Sequence, residues 1–432
     1  MGKKLYALVG CGSRAKMFYE AVAGVYGKTS QMVAFCDISQ TRMNYANRLL
    51  EKCGGTAVAT YRHTDFGRMV TETRPDCVIV TSVDRTHDYY IIKAMEMGCD
   101  VITEKPMTID EEKAQAIIDA QKRTSRSLRV TFNYRYAPHN TKVRELVMSG
   151  TIGEVLSMHF EWLLDTRHGA DYYRRWHRNK HNSGGLLVHK STHHFDLVNF
   201  WLGDTPKRVF AMGDLMFYGM KNAEKRGVTD FYHRTHGSEA AKNDPFAIDL
   251  SADEEMREMY LAAESDSGYV RDRSVFSDDV AIEDVMAVTV RYNRGTILTY
   301  SLNTYMPWEG FNVALNGTKG RIELAVAENS YVSGRDKIEH QGATESERLT
   351  VRPLFTAPYE VEVEKQSGGH GGGDTVLLND IFGTPADGTS IADPFNRAAS
   401  HIDGAMSILT GIAANKSIAS GMAVDIADLL KF

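Results

Sequence analysis

Cysteine is scarce and confined. The chain has five in 432 residues, and all of them (Cys11, Cys36, Cys53, Cys77 and Cys99) fall in the first hundred positions. An odd number without C-x-x-C spacing argues against a disulfide frame or a cysteine zinc site, and reads as reduced, buried thiols of a cytoplasmic protein. No apolar run approaches the length of a membrane span, and no signal-peptide core precedes the first strand-like segment. Positive charge is not in excess either. Fifty Lys and Arg against 56 Asp and Glu give a net charge of −6, so no basic face advertises nucleic acid or an anionic membrane. Internal repeats and low-complexity tracts are also missing. What remains is a chain long enough for two domains, each with its own core.

The amino terminus carries the first positive signal. Leu5–Val9 is a short apolar run with strand character, followed by Gly10-Cys11-Gly12-Ser13-Arg14-Ala15 and a helix-like stretch from Lys16. G-x-G-x-x-A between strand and helix is the context of a dinucleotide fingerprint. Its glycines allow a tight turn and close approach of a pyrophosphate, whose charge sits at the helix amino end. A second apolar run, Gln31–Cys36, ends in Asp37, an acid placed to take the adenosine ribose hydroxyls and repel a 2′-phosphate. The cofactor expected is therefore NAD, with Arg42 one turn further on as a group that softens the discrimination. Asp37 stands farther from Gly10 than is usual, and a long first helix is the expected cause.

Alternation then continues through helix Thr41–Cys53, a short strand near Val58, helix Asp65–Thr73 and the buried strand Pro75–Thr81. Helix His87–Gly98, strand Cys99–Thr103, helix Ile109–Thr124 and strand Leu128–Phe132 follow. This predicts a doubly wound parallel sheet over residues 1–132. Residues 133–432 read as an α+β domain with a mainly antiparallel sheet. Its strands are Val155–Trp162, Met286–Tyr292, Thr296–Asn303 and Phe311–Asn316; its helices are Asn140–Ser149, Ser191–Trp201 and Ser400–Leu430. A polar insertion at about 217–284, with a helix-like piece Asp253–Glu264, reads as a lid, an interface or another functional loop.

Within Ser183–Asp196, His189 and His193 stand four residues apart, with His194 and Asp196 close behind. On a helix such positions share a face, and imidazole is the side chain best suited to exchange a proton near neutral pH. A zinc-binding pair, or structural histidines on a partly buried helix, are the alternatives. Lys105, in Glu104-Lys105-Pro106, leaves the carboxyl end of its strand, where open parallel sheets bind ligands. Pro106 restricts it to an extended conformation, and neighbouring cations would lower its pKa along with those of His189 and His193. A plain surface lysine is the competing account. The glycine-dense run Gly368–Asp374, which contains His370, reads equally as a linker or as a loop lining a site.

Taken in order, the strand–G-x-G-x-x-A start, the Thr81…His87 segment, Glu104-Lys105-Pro106, Asn133–Pro138, Gly150-Thr-Ile-Gly153 and the Gly-Gly…His…Asp196 run carry a resemblance. Over about residues 1–330 the chain resembles the glucose–fructose oxidoreductase / inositol dehydrogenase / rhizopine-catabolism (Gfo/Idh/MocA) family. That resemblance implies a Rossmann domain, then an open-faced sheet domain paired sheet to sheet in homodimers or homotetramers. It implies NAD(P)-linked chemistry on sugar or polyol carbons. Cofactor contacts carry over to Gly10, Gly12, Ser13, Arg14, Asp37, Thr81, His87, Glu104 and Lys105. Lys105 and His193 match the catalytic pair, while His189 stands where the family has an aspartate, a departure that removes a carboxylate partner for imidazolium. The long insertion and the His370 loop resemble larger members that act on glycosides. One branch of these carries an H-G-G-x-D loop and hydrolyses glycosidic bonds with tightly held NAD.

The resulting expectation is an NAD-dependent dehydrogenase acting on a carbohydrate, a sugar or glycoside, with ring C3 the first candidate. His193 is the base, Lys105 holds the oxygen and His189 orients or relays. Trp176, Arg178, His194 and His370 contact the sugar, core packing being the competing account for Trp176. No metal is expected. A glycosidase or lyase that recycles bound NAD, and a non-catalytic dinucleotide-binding protein, are the alternatives.

Overall fold

A computed structural model describes residues 2–330, 332, 344–364, 371–383 and 392–431 of the chain. His370 lies outside the described residues. Two sheets organise the rest. The first contains β1 (Lys4–Val9), β2 (Ser30–Asp37), β3 (Ala59–Arg62), β4 (Cys77–Val80), β5 (Asp100–Thr103) and β6 (Leu128–Val130). The second takes β7 (Val155–Asp165), β8 (Pro206–Asp214), β9 (Val285–Tyr292), β10 (Ile297–Met306), β11 (Glu309–Gly317), β12 (Gly320–Asn329), β13 (Ser346–Pro353) and β14 (Tyr359–Val361). Near the carboxyl end, β15 (Ala399–Ser400) joins the first sheet and β16 (Val424–Asp425) the second.

The first sheet runs β15-β6-β5-β4-β1-β2-β3, with β1 to β6 parallel. Cys77-Val-Ile-Val80 is buried on both faces, as expected where helices cover a parallel sheet. Strand order reverses between β1 and its two neighbours β2 and β4, the topological position at which such sheets bind ligands beyond their carboxyl ends. The second sheet runs β14-β13-β12-β11-β7-β10-β9-β8-β16, and its pairs are antiparallel except β7 with β10. Burial alternates strictly along β9 and β12. One face therefore packs on the helices Ser191–Leu202 and His401–Ser420 while the other stays open.

Several sequence expectations change. The first helix is short, Lys16–Ala23; the extra length before Asp37 lies in turns, closed by Tyr26 N–H to Ala21 O and Thr29 N–H to Tyr26 O, both 3.0 Å. The last helix stops at Ser420 because Gly421 turns left-handed, at φ 70°. The chain then comes back as β16 on β8 instead of continuing to Leu430. Asp253–Glu264 is not one helix but a turn, Glu254–Met256, a π-helical segment, Arg257–Leu261, and then Glu264–Ser267. Strands β8, β12 and β13 were not read from the sequence. Both ends of the insertion meet at Asp284, whose carboxylate accepts the N–H groups of Met216, Phe217 and Tyr218 at 2.8, 2.7 and 2.8 Å.

Candidate active site

The carboxyl ends of β1, β4 and β5 converge on one cradle. Gly10 has φ +92°, and a Cβ there would come within 2.5 Å of the Ser82 backbone, whereas one on Gly12 would meet nothing within 4 Å. The first glycine is demanded by packing. The second leaves room above the amino end of the Ser13–Ala23 helical segment, where a pyrophosphate fits. Thr81 supports the loop by donating its hydroxyl to Gly10 O at 2.6 Å. Asp37 is buried, with its carboxylate accepting the N–H of Cys11 at 2.6 Å and of Ser39 at 2.7 Å. This acid therefore pins the glycine loop. Arg14 spans Glu104 (2.8 Å) and Asp374 (3.2 Å), and Asp374 also accepts from Asn133 at 2.7 Å. His87 braces rather than reaches: its ring nitrogens lie 2.8 Å from Pro106 O and 2.9 Å from Ser82 O.

Lys105 follows β5, is half-buried, and its peptide bond to Pro106 is cis. Its ammonium donates toward His189 Nε2 at 3.5 Å and His189 O at 3.3 Å. His189 Nδ1 in turn donates to Asp84 Oδ2 at 2.5 Å. The carboxylate missing at position 189 is thus supplied from the loop after β4, a partner that the sequence reading did not single out. Burial, reinforced by Lys105 and Arg175, holds His189 well below its ordinary pKa. Burial also pushes Lys105 down to about 8, against the pull of Asp84 and Glu104. Asp84 is raised by burial and drawn back by Lys105 and Arg175. For zinc, the geometry is wrong at His189: one nitrogen serves Asp84 and the other faces an ammonium. Among the described residues no group of three or more His, Cys, Asp or Glu is arranged to hold a metal.

Around this chain stand aromatic walls. Trp176, half-buried, stacks on His177 at 3.6 Å and lies 5.8 Å from the His189 ring. His177, also missed from the sequence, sits 4.2 Å from His189 and is driven well below its ordinary pKa by burial and by His189. Tyr172 closes the same side at 5.6 Å from His189. Lys190, the junction between the helices Leu186–His189 and Ser191–Leu202, is buried over Tyr134 and Trp162. Beneath it, Tyr134 donates to Glu328 at 2.9 Å, and His168 pairs with Glu309 at 2.6 Å.

The other sequence candidates divide. His193 is buried on the same helical run, with its ring edge-on to Tyr134 at 5.0 Å and to Phe132 at 6.1 Å. His194 is fully buried, stacked on Trp162 at 3.9 Å, with Nδ1 2.6 Å from the Tyr300 hydroxyl. Those contacts make it part of the wall behind the site, a correction to its expected contact with sugar. Arg178 is corrected likewise: it bonds Ser274 O at 3.1 Å and Asp279 at 2.8 Å, and so anchors the insertion. Asp196 is consumed by Arg135, at 2.6 and 2.7 Å.

Residues 4–132 match the model described as "Oxidoreductase family, NAD-binding Rossmann fold", and residues 144–426 match "Oxidoreductase family, C-terminal alpha/beta domain". "Putative oxidoreductase YteT" of Bacillus subtilis (strain 168) is 37% identical over 333 residues, covering 75% of this chain and 76% of the relative. D-glucoside 3-dehydrogenase of Escherichia coli (strain K12) is 30% identical over 173 residues, 40% of this chain and 47% of that relative, about half its length. The crystal structure of an oxidoreductase from Agrobacterium radiobacter, in complex with NAD+, L-tartaric acid and magnesium, shares the fold. Its TM-score is 0.64 at 16% identity, over 99% of this chain and 100% of that one. Among the described residues no helix is long and apolar enough to cross a membrane.

Proposed function

Because the chain belongs to the Gfo/Idh/MocA oxidoreductase family and carries its NAD-binding Rossmann domain, we propose that it oxidises or reduces a secondary alcohol of a sugar or glycoside. Ring C3 is the first carbon to test. The observation that supports this most is the Lys105–His189–Asp84 chain at the end of β5, beside the open space at Gly12. NAD, when bound, supplies the carbon that accepts the hydride. The side chains do the rest: His193 takes the hydroxyl proton, and the Lys105 ammonium donates to the same oxygen. His189, fixed by Asp84, sets the direction of Lys105. Incubation with NAD and a panel of glycosides and polyols, followed by reduced-cofactor absorbance, tests the reading. No turnover on any member would sink it. Release of an aglycone without added cofactor would favour a glycosidase instead.

The exposed part of the Trp176 indole offers a flat face to the apolar side of a pyranose. Trp176→Ala is expected to raise KM about tenfold with kcat little changed, which steady-state kinetics on the best glycoside would show. A drop in kcat alone would mean that the indole packs the site and does not bind sugar.

NAD is preferred to NADP on this reading. Asp37 is the acid for the ribose end, and Arg42, the nearby cation, is held in place through its Nε. It donates to Met259 O at 2.9 Å and lies over Tyr260 and Tyr269 at 5.4 and 5.7 Å. Calorimetry is expected to give NADP a Kd on the order of tenfold or more above that of NAD; tighter NADP would overturn the assignment. The open face of the second sheet, bearing His159, Glu161, Thr299, Asn312 and Arg348, is proposed to pair with a second copy. The cytoplasm is the proposed compartment, supported by five cysteines that are all unpaired.

A further inference from the structure

The insertion between β8 and β9 reaches the first domain at the glycine loop, at the turn after β2 and at the helices that follow them. The Tyr260 hydroxyl meets the Ser13 hydroxyl on the glycine loop. Asp266 accepts from Ser39 Oγ at 2.7 Å and Thr41 N–H at 2.9 Å, in the turn after β2. Lys16 pairs with Glu255 at 2.8 Å, and Arg48 with Glu258. Beside Tyr260 lies an unbalanced cluster of charge. Arg271, from the insertion, makes two bonds to Asp171, at 2.6 and 2.9 Å. Arg175 and Arg174 share the same carboxylate at 3.3 and 3.4 Å.

Three guanidiniums share one carboxylate, so this cluster taken by itself has more positive than negative charge. Of the acids nearby, Glu104 and Asp374 are bridged by Arg14, and Asp84 bonds His189 and also acts on Lys105 and Arg175. The Arg271 guanidinium lies 5.4 Å from the Tyr260 ring and its side chain is 4% exposed. Nε of Arg175 and of Arg271 are buried without a hydrogen-bond partner among the described residues. Cations that must share one carboxylate away from water are costly. Guanidinium is the group whose planar fork suits phosphate oxygens, and a pyrophosphate diester carries two negative charges. Arg175 also acts electrostatically on Asp84 and His189. A pyrophosphate held at the glycine turn would lie on the side of Ser13 that Tyr260 meets.

We infer that Arg175 and Arg271, together with Tyr260, form a second pyrophosphate site facing the helix amino end, so that the insertion closes over NAD and slows its release. This rests on NAD binding by the Rossmann domain and adds the part played by the insertion. Calorimetry with ADP-ribose and with adenosine tests it, alongside NAD content after gel filtration of the intact protein. Arg271→Gln and Arg175→Gln are each expected to weaken ADP-ribose by more than about tenfold, to leave adenosine unchanged, and to lose NAD on the column. Tyr260→Phe gives a smaller loss of the same kind. Should Arg271→Gln fail to fold, Arg175→Gln, outside the insertion, decides. ADP-ribose affinity unchanged in the folded variants would overturn the inference, and a rise confined to substrate KM would reassign the arginines to an anionic substrate. A wild-type chain that binds no ADP-ribose would bring down the dinucleotide reading itself.

Discussion

Lys105→Ala is expected to lower kcat/KM by about 10²- to 10⁴-fold while NAD still binds, and His193→Ala to lose a comparable amount. Lys105 follows the end of β5, and burial brings its pKa to about 8. The sign follows directly. A lysine is charged below its pKa, and the proposed role is donation from the ammonium to the substrate oxygen. Oxidation rates expressed as kcat/KM should therefore fall as pH rises through about 8. Lys105→Arg keeps a charge that does not titrate in this range, so its residual activity should lack that descending limb. Initial rates over a pH series check this, with NAD affinity measured separately. A limb that survives in Lys105→Arg belongs to another group, and full activity in His193→Ala would move the base elsewhere, with His189 next in line.

Asp84→Asn should cost about 10²-fold or more in kcat with KM nearly unchanged. The carboxylate accepts from His189 Nδ1 and so selects the tautomer whose Nε2 accepts from Lys105. An amide presents a donor as readily as an acceptor and loses that selection. A second readout separates this positioning role from mere loss of structure. Asp84 is the strongest upward influence on the Lys105 pKa, so removing its charge should move the descending limb to lower pH. An unmoved limb in a folded Asp84→Asn variant would show that the aspartate does not act through Lys105.

How far the molecule could be read from its residues depended on how local each signal was. The parallel sheet was legible because β1, β2, β4 and β5 are short apolar runs followed by turn and helix signals. Lys105 was legible because a proline and a strand end mark it. Strands such as β8 carry exposed positions between their buried ones, which weakens the apolar signal. Asp84 gave no local mark at all. It matters only because the fold brings it to a histidine 105 residues away, and no spacing rule reaches that far. His194 and Arg178 failed for the opposite reason: proximity along the chain to the glycine pair looked like proximity to a ligand. Their partners, Tyr300 and Asp279, come from other elements. Tyr260 and Arg271 sit in a polar insertion without periodicity, and only their contacts with Ser13 and Asp171 give them meaning.

The two amides gathered by Asp37 carry a consequence for anyone who would redesign this chain. Exchanging the acid after the second strand for a small or basic residue is an obvious route toward NADP. Here the same carboxylate fastens Cys11 and Ser39, and each such bond to a charged acceptor is worth about 1.5–3 kcal/mol. An Asp37→Ser swap would relax the glycine loop while it removed the repulsion, so binding of both dinucleotides would suffer together. The proposed selectivity and the loop's rigidity would then rest on one side chain. A switch would have to start by giving those amides another acceptor, and only then recruit a cation for the extra phosphate.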